Sequence, residues 1–475
     1  MRINNNMSAV ITNNQLLGTE SSLADVMEKL SSGFSINHAS DDPSGIAIAG
    51  KMQAQIDGLG KASTNSSDGI SVLQTAEGAL NEVTDMIQRM RELSVQAANG
   101  TNSDSERETI QKEIDSLLEE IDRVAETTEF NTINLLNGSL DNRTYAEHAT
   151  RMQTSNTVPA GLYTLTITSA ATRGTAGGVN PLLGNATATA LSMAGTMNIN
   201  GYGVEFTEGM SREAVYEAMR DACEKGSATI SDPDENIAIY SLKYGAKADL
   251  EIEFSSKEFA VALGFPEDQI TEGAIIQNVG VDAVVELDKT SPSMFGPQAT
   301  TGYDGNHITV TDVDGFELSF LAEAGFDATT DTVTGGKIEF NVTDIGSMTL
   351  HVGANKNQNM EVRIAAVTTE FMYIDDLSVT RVNGPEDALD SLDTALNYVT
   401  SVRSQLGAYE NRLEHTTKSL DTTEENMTSA ISRVEDADMA TTMVEYTKLN
   451  VLEQAGTSAL AQANELPQLA LQLLQ

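Results

Sequence analysis

The sequence is poor in the residues that build disulfide-linked, metal-bound or densely packed domains. Its 475 residues include no tryptophan, one cysteine (Cys223) and 5% aromatic residues. A single cysteine excludes an internal disulfide and a metal site made of cysteines alone. The shortage of aromatic side chains argues against a large, dense globular core over much of the chain.

Long hydrophobic runs are also missing. No run of 18 apolar residues occurs, so we expect no membrane-spanning helix. Residues 1–6 do not contain the apolar core of a secretory signal, and we therefore expect the chain not to use the general secretory route.

Positive charge is scarce throughout the sequence. There are 28 basic residues against 70 acidic ones, which gives a formal net charge of −42. This balance argues against nucleic acid or an anionic membrane as a partner, because both are polyanionic. It also means that copies of the chain repel one another, so self-association would have to bury apolar area.

What the sequence does contain is a long heptad pattern from Leu389 to Val434. Apolar side chains recur at every seventh position, namely at Leu392, Val399, Leu406, Leu413, Leu420, Met427 and Val434. The positions three residues before each of these are half polar: Leu389, Leu396, Arg403, Glu410, Thr417, Glu424 and Ile431. A seam sustained over about six heptads predicts a coiled-coil helix, which needs partner helices.

The N-terminal part of the chain supplies those partners. A long second helix is predicted to begin at Pro43, with Asp42 as its cap, and to end near residue 100. Ser103 and Glu106 form a capping box for a third helix. We therefore expect a long antiparallel coiled-coil bundle formed by both chain ends.

The first and last helical segments carry apolar residues at spacings of three and four. We expect these amphipathic helices to suit each other and copies of themselves. The predicted terminal polymerisation core consists of Leu16, Leu23, Met27, Leu30, Val444, Val451 and Leu452.

Between about residues 137 and 359, strand-like alternation replaces the heptads. The pattern predicts a hairpin that pairs residues 308–310 with 316–320, and one helix from Ser211 to about Cys223. The fold class is therefore α+β and multidomain. The predicted domains are an N-terminal helix (1–42), the N-terminal half of the bundle (43–140), a β-rich insertion of two subdomains (141–344), the C-terminal half of the bundle with a hairpin and the long helix (345–434), and a C-terminal helix (435–475).

Motifs for catalysis or metal binding are absent from the sequence. The histidines, His38, His148, His307, His351 and His415, lie far apart and form no His-Glu-x-x-His motif. The acidic turn at residues 312–315 lacks the ligand spacing of a calcium loop and favours a hairpin turn. We expect no catalytic residue, no metal and no cofactor.

Several short motifs are concentrated at the two ends of the chain. The N-terminal ones are Leu30-Ser31-Ser32-Gly33, Ile36-Asn37, Asp41-Asp42, Gln88-Arg89-Met90-Arg91-Glu92-Leu93, Gln96-Ala97-Ala98-Asn99-Gly100-Thr101-Asn102-Ser103, Glu129-Phe130-Asn131 and Leu135-Leu136-Asn137-Gly138. The C-terminal ones are Gly353-Ala354-Asn355, Gln405-Leu406-Gly407-Ala408, Asn411-Arg412-Leu413, Arg433-Val434-Glu435-Asp436-Ala437-Asp438-Met439-Ala440, Gln454-Ala455-Gly456, Ala461-Gln462-Ala463-Asn464 and Leu466-Pro467. With these motifs the sequence resembles bacterial flagellins over roughly residues 1–140 and 345–475. It departs from the family at Ser35, where a basic residue often precedes Ile36-Asn37.

The resemblance implies a structural function. A flagellin-like chain would be exported unfolded through the flagellar secretion channel and would polymerise into the extracellular filament that serves motility. Its partners would be other copies of itself, an export chaperone bound to the C-terminal helix, the filament cap and the hook–filament junction proteins. A hook–filament junction protein or an adhesive surface fibre built on the same helices is the alternative.

The resemblance also implies recognition by the flagellin-sensing Toll-like receptor of vertebrates, through Arg89, Leu93 and Glu113. Arg89 and Leu93 lie one helical turn apart. Because both lie off the stripe predicted to pack, we expect both side chains to be exposed in the monomer. The alternative is that Arg89 only pairs with Asp85 or Glu92 at a solvated surface.

Overall fold

Long helices occupy both ends of the chain. The computed structural model describes residues 6–155, 157–185, 188–232, 236–331, 334–343 and 345–472, without the side chains of residues 314 and 466–472. The predicted Leu466-Pro467 motif and the last residues of the C-terminal helix lie outside the described side chains. The helices are α1 (Met7–Ser32), α2 (Pro43–Ala97), α3 (Asp104–Thr127), α4 (Arg212–Lys225), α5 (Lys257–Leu263), α6 (Gly384–Glu435) and α7 (Met439–Gln472).

The helix starts follow the caps in the sequence. The side chain of Asp42 accepts a hydrogen bond from the Ser44 backbone N–H, at 3.0 Å, at the start of α2. Ser103 and Glu106 form the predicted capping box of α3. These carboxylates and hydroxyls satisfy N–H groups that have no partner within the helix.

The strands lie between α3 and α6. They are β1 (Glu129–Phe130), β2 (Ile133–Asn134), β3 (Thr144–Tyr145), β4 (Ala149–Thr154), β5 (Gly161–Ser169), β6 (Thr175–Pro181), β7 (Gly195–Ile199), β8 (Tyr202–Phe206), β9 (Ala228–Ile230), β10 (Asn236–Ser241), β11 (Asp249–Phe254), β12 (Ile275–Val279), β13 (Val284–Leu287), β14 (Thr300–Asp304), β15 (His307–Thr311), β16 (Glu317–Ala322), β17 (Lys337–Val342), β18 (Met348–His351) and β19 (Asn359–Val362). Helices at both ends around a β-rich centre confirm the predicted α+β class.

Contacts divide the chain into two compact units, and the division falls within α2 and α6. The first unit comprises residues 1–70, 350–360 and 411–475. In it, α1 packs along α7. The linker that follows α1 also pairs with the linker that precedes α7. Phe34 and Asp436 form an antiparallel bridge, and the Ala437 backbone N–H donates to the Gly33 carbonyl at 2.9 Å.

The other helical contact of the first unit joins the N-terminal part of α2 to the C-terminal part of α6. Leu59, Ala62 and Leu420 form a small buried cluster there. Beside it, the Ser63 hydroxyl donates to Asp421 at 2.8 Å. Gly69 lets the β18–β19 hairpin approach α2 closely, since a Cβ at this position would lie 2.5 Å from a methyl group of Leu350.

The second unit comprises residues 71–349 and 361–410. Its α2 and α6 segments run antiparallel, because Gln74 bonds to Glu410 at 2.8 Å and Arg91 bonds to Asp393 at 2.7 Å. In the hairpin formed by α2 and α3, Arg89 reaches Glu113. The helices of this unit therefore pack as a bundle.

The described residues of the predicted insertion form two separate hydrophobic cores. One is built on α4, α5 and the sheets β12–β11–β7–β8 and β6–β10–β9. The other lies on the sheets β13–β5–β17–β3 and β14–β15–β16–β4, and contains Tyr163, Phe320 and Phe340. The predicted hairpin is confirmed, since residues 307–311 pair in register with 317–321. The helix predicted to begin at Ser211 is α4, which the Ser211 side chain caps. The predicted domain boundaries stay predictions.

Candidate assembly and receptor surfaces

The predicted seam residues of α6 lie along one face of the helix. Burial is strongest in the first part and decreases towards the C-terminus. Leu392, Val399, Leu406 and Leu413 are buried to 2% exposure or less, Leu420 is 8% exposed, and Met427 and Val434 are half-buried.

In the first part of α6 the companion row of this seam differs from the prediction by one residue, whereas the predicted Ile431 near the end of the helix is buried. Ala388, Ala395 and Val402, which lie four residues before the seam positions, are buried. The predicted Leu389 and Leu396, three residues before, are half-buried. Both rows alternate spacings of three and four with the seam, so periodicity alone does not separate them. The row of Ala388, Ala395 and Val402 takes the inner position. Its side chains are small, which allows the helices to approach closely.

The terminal helices leave much of their apolar surface uncovered. Leu16 is buried between α1 and α7, and Leu23 and Leu30 are half-buried. Four members of the predicted polymerisation core are instead exposed: Met27 (52%), Val444 (70%), Val451 (60%) and Leu452 (47%). Together with Met443 and Thr447, three of these residues line an open groove on α7.

Arg89 lies in an exposed ion-pair network at the α2–α3 hairpin. Its Nη2 and Nε donate to Glu113 Oε1 at 2.8 and 3.1 Å, and its Nη1 donates to Glu92 Oε2 at 3.2 Å. The hydrogen bonds to Glu113 and then Glu92 raise the pKa of Arg89. The pairing with Glu92, which the alternative named, is therefore present together with a bond to Glu113.

The expectation that Leu93 is exposed was wrong, because its side chain is 2% exposed. α2 is contacted on two sides, by α3 through Glu113 and by α6 through Asp393. The buried face is consequently wider than one stripe, and it includes Leu93 beside Met90 and Ser94.

Sequence reasoning missed the segment that follows β19 and runs along α3. The Thr369 backbone N–H and hydroxyl donate to Asp122 at 2.8 and 2.6 Å. Gln111 donates to the Leu377 carbonyl at 2.8 Å and accepts from the Val379 N–H at 2.7 Å. No local pattern in the sequence indicates these distant partners of Asp122 and Gln111.

Among the described residues, no group of three or more histidine, cysteine or acidic side chains is arranged to hold a metal ion. Burial raises the pKa of the Cys223 thiol to about 12. None of the described helices combines the length and apolar character needed to cross a membrane.

Comparison with known proteins gives the family. The model of the bacterial flagellin N-terminal helical region matches residues 3–141, and that of the C-terminal helical region matches residues 389–474. A flagellin of Salmonella typhimurium is 32% identical and covers 99% of each chain. This chain belongs to the flagellin family. Flagellin D of Vibrio anguillarum is likewise 32% identical, over 100% of this chain and 99% of its own.

As a flagellin, the protein is a structural subunit of the extracellular bacterial flagellar filament. Solved flagellar structures are similar at lower identity. FliC from Burkholderia pseudomallei is 18% identical, covers 72% of this chain and 99% of its own, and has a TM-score of 0.24. A flagellar hook-associated protein from Legionella pneumophila is 14% identical, covers 81% of this chain and 98% of its own, and has a TM-score of 0.30.

Proposed function

We propose that this flagellin is exported unfolded and that it joins the filament by burying the exposed faces of α1 and α7 against other copies. The observation that carries the proposal is the row of exposed apolar side chains on two helices that already pair. Met27 on α1 and Val444 and Val451 on α7 are each more than half exposed. Exposed apolar surface of this kind is typical of an interaction site.

Charge sets the condition under which this assembly occurs. Each copy carries a formal net charge of −42, so the approach of two copies is opposed by repulsion. Buried apolar area supplies the compensating free energy, and salt lowers the repulsion. Filament yield is therefore expected to rise with ionic strength.

The test is the double variant Val444→Asp with Val451→Asp. It should keep the monomer's circular dichroism spectrum and fail to form filaments in electron micrographs, because assembly would bury two carboxylates. Val179→Asp is the matched control, since Val179 is 59% exposed on the β-rich insertion. Normal filaments from the double variant would contradict the proposal.

We propose that the same face of α7 binds the export chaperone before secretion. The groove beside Met443, Val444 and Leu452 is apolar and open, which suits a helix-binding partner. The double aspartate variant should then lose chaperone binding in a pull-down, and Val179→Asp should keep it. Retained binding by the double variant would show that the chaperone does not bind this face of α7.

The filament cap and the junction proteins are further proposed partners in assembly.

We also propose that the Arg89 surface binds the flagellin-sensing Toll-like receptor. Arg89 and Glu113 are about half exposed and lie on adjacent helices, and an exposed arginine in a fixed geometry is a common binding anchor. Leu93 is buried in the folded monomer, so its direct contact with a receptor would require the chain that covers it to move.

Receptor affinity of three monomeric variants tests this surface. Arg89→Ala and Glu113→Ala should weaken binding, and Leu93→Ala should weaken it in proportion to lost helix stability. Arg91→Ala is the control, because Arg91 lies on the same helix and pairs with Asp393. An unchanged receptor affinity of Arg89→Ala would show that the Arg89 surface is not part of the recognition site.

A further inference from the structure

Solvent-exposed methionines lie on the paired terminal helices. Met27 on α1 and Met439 and Met443 on α7 are each about half exposed. A further methionine, Met7, is exposed at the other end of α1. The surface that is proposed to drive assembly therefore presents thioether sulfur to solvent.

Met27 and Met443 come level with each other along the helix pair. The helices α1 and α7 run antiparallel, and Leu16 on α1 lies beside Gly456 on α7, where an added Cβ would be 3.3 Å from a Leu16 methyl group. Moving from Leu16 to Met27 on one helix corresponds to moving from Gly456 to Met443 on the other. Met439 lies one helical turn nearer the linkers than Met443. These three methionines, the methionine cluster, therefore lie within about one turn of the pair.

Methionine is the side chain of this protein that a peroxide oxidises most readily. The sequence contains no tryptophan and a single cysteine. The reactive form of cysteine is the thiolate, and burial raises the pKa of the Cys223 thiol to about 12. In the reaction of methionine with hydrogen peroxide, a sulfur lone pair attacks one oxygen and the O–O bond breaks. The leaving hydroxide takes the proton of the transferred oxygen and becomes water. Sulfur is oxidised by two electrons to the sulfoxide, and the peroxide is reduced by two.

The sulfoxide does not suit a buried contact between copies. A methionine side chain is apolar, and its flexible stem adapts to a neighbouring surface. A sulfoxide oxygen is polar, and burying it without a hydrogen-bond donor is unfavourable. The pairing of α1 with α7 does not depend on the cluster, because α1 buries Leu16 and Val26 instead. Oxidation should therefore oppose assembly and leave the monomer folded.

We propose that Met27, Met439 and Met443 form an oxidation site of the monomer, at which a peroxide blocks entry into the filament until the sulfoxides are reduced. The inference rests on the proposed burial of α1 and α7 by assembly. Assembly itself protects the site, because buried sulfur is shielded from the oxidant. A peroxide concentration that stops filament growth should thus leave existing filaments intact.

Partial oxidation of the wild-type monomer tests the site within one sample. Hydrogen peroxide is added until about one sulfoxide per chain has formed, and filaments are grown from this monomer on sheared filament seeds. Peptide mass spectrometry measures the sulfoxide fraction at each methionine in the filaments and in the remaining monomer. At Met27, Met439 and Met443 this fraction should be about fivefold lower in the filaments, or less. Met193 and Met294 are the matched controls, because both are exposed in the β-rich insertion, and their fractions should be equal in the two samples.

Equal sulfoxide fractions of the methionine cluster in filaments and monomer would overturn the oxidation site. Reduction of the oxidised monomer by the two methionine sulfoxide reductases, one for each epimer, should restore filament growth. Growth that stays blocked after the sulfoxides are reduced would also overturn the site.

Peroxide treatment of finished filaments tests the proposed function separately. If the methionine cluster reacts there as fast as in the monomer, assembly does not bury these faces of α1 and α7, and the proposed function fails. If the cluster is protected in filaments but oxidised monomers enter them as readily as unoxidised ones, the oxidation site alone is refuted.

Discussion

Leu413 is the position at which the helical seam can be tested most sharply. Its side chain is fully buried in the first unit and faces Gly69 of α2, where an added Cβ would lie 3.2 Å from a Leu413 methyl group. Leu413→Ala removes three carbon atoms, worth about 2.4 kcal/mol at ~0.8 kcal/mol per group. The cavity left behind raises the expected loss of unfolding free energy to about 3–4 kcal/mol. Leu413→Asp adds the desolvation of a carboxylate, for a total of roughly 5 kcal/mol or more.

Urea unfolding followed by circular dichroism at 222 nm measures these losses. With a slope of about 2 kcal/mol per molar urea, Leu413→Ala should lower the helical midpoint by about 1.5–2 M, and Leu413→Asp should abolish the native baseline. Leu17→Asp is the matched control, because Leu17 is 54% exposed on α1 and should change the monomer by about 0.5 kcal/mol or less. Equal midpoints for the Leu413 and Leu17 variants would refute the seam.

Three more predictions concern the ends, the insertion and pH. Amide exchange should be fast in α1 of the monomer, where Leu16 and Val26 are the buried side chains, and slow in the filament; protected α1 amides in the monomer would contradict this. A variant in which a short linker replaces residues 141–344 should still polymerise, and folded helices without filaments would show that the insertion contributes essential contacts. Burial raises the pKa of Asp141 to about 6, so the folded state binds its proton more tightly than the unfolded state. Stability contributed here should be highest below pH 4 and fall as pH rises to about 6, and Asp141→Asn should flatten that slope in pH-dependent melting curves.

The sequence predicted those parts of the fold that repeat or are local. The seven-residue recurrence from Leu392 to Leu420 predicted the buried face of α6 correctly. Seven residues are about two turns of an α-helix, so residues at this spacing lie on the same face. The cap at Asp42 and the pairing of residues 307–311 with 317–321 depend on neighbouring residues, and both are present.

Features that depend on a third element could not be predicted in the same way. The burial of Leu93 requires knowing that α3 and α6 contact α2 from two sides. Ala395 is buried and Leu396 is only half-buried, although both positions fit the heptad pattern. Which of the two lies inside depends on how closely the partner helix approaches, and periodicity does not contain that information. The bonds from Asp122 to Thr369 join residues 247 positions apart in an irregular segment, and only the folded chain brings them together.

The bridge between Phe34 and Asp436 has a consequence for the order in which the chain folds. Asn6 on one side of the bridge bonds to the Ala463 carbonyl, a partner 457 positions away. Closing so long a loop at once is entropically costly and slow. If α2 and α6 pair first at Ser63 and Asp421, the open chain between the terminal helices shortens several-fold, which saves roughly 1–2 kcal/mol of closure entropy. We therefore expect α1 and α7 to pair last. Their pairing would start at the Phe34–Asp436 bridge and proceed towards the chain termini, after α2 and α6 have brought the two linkers together.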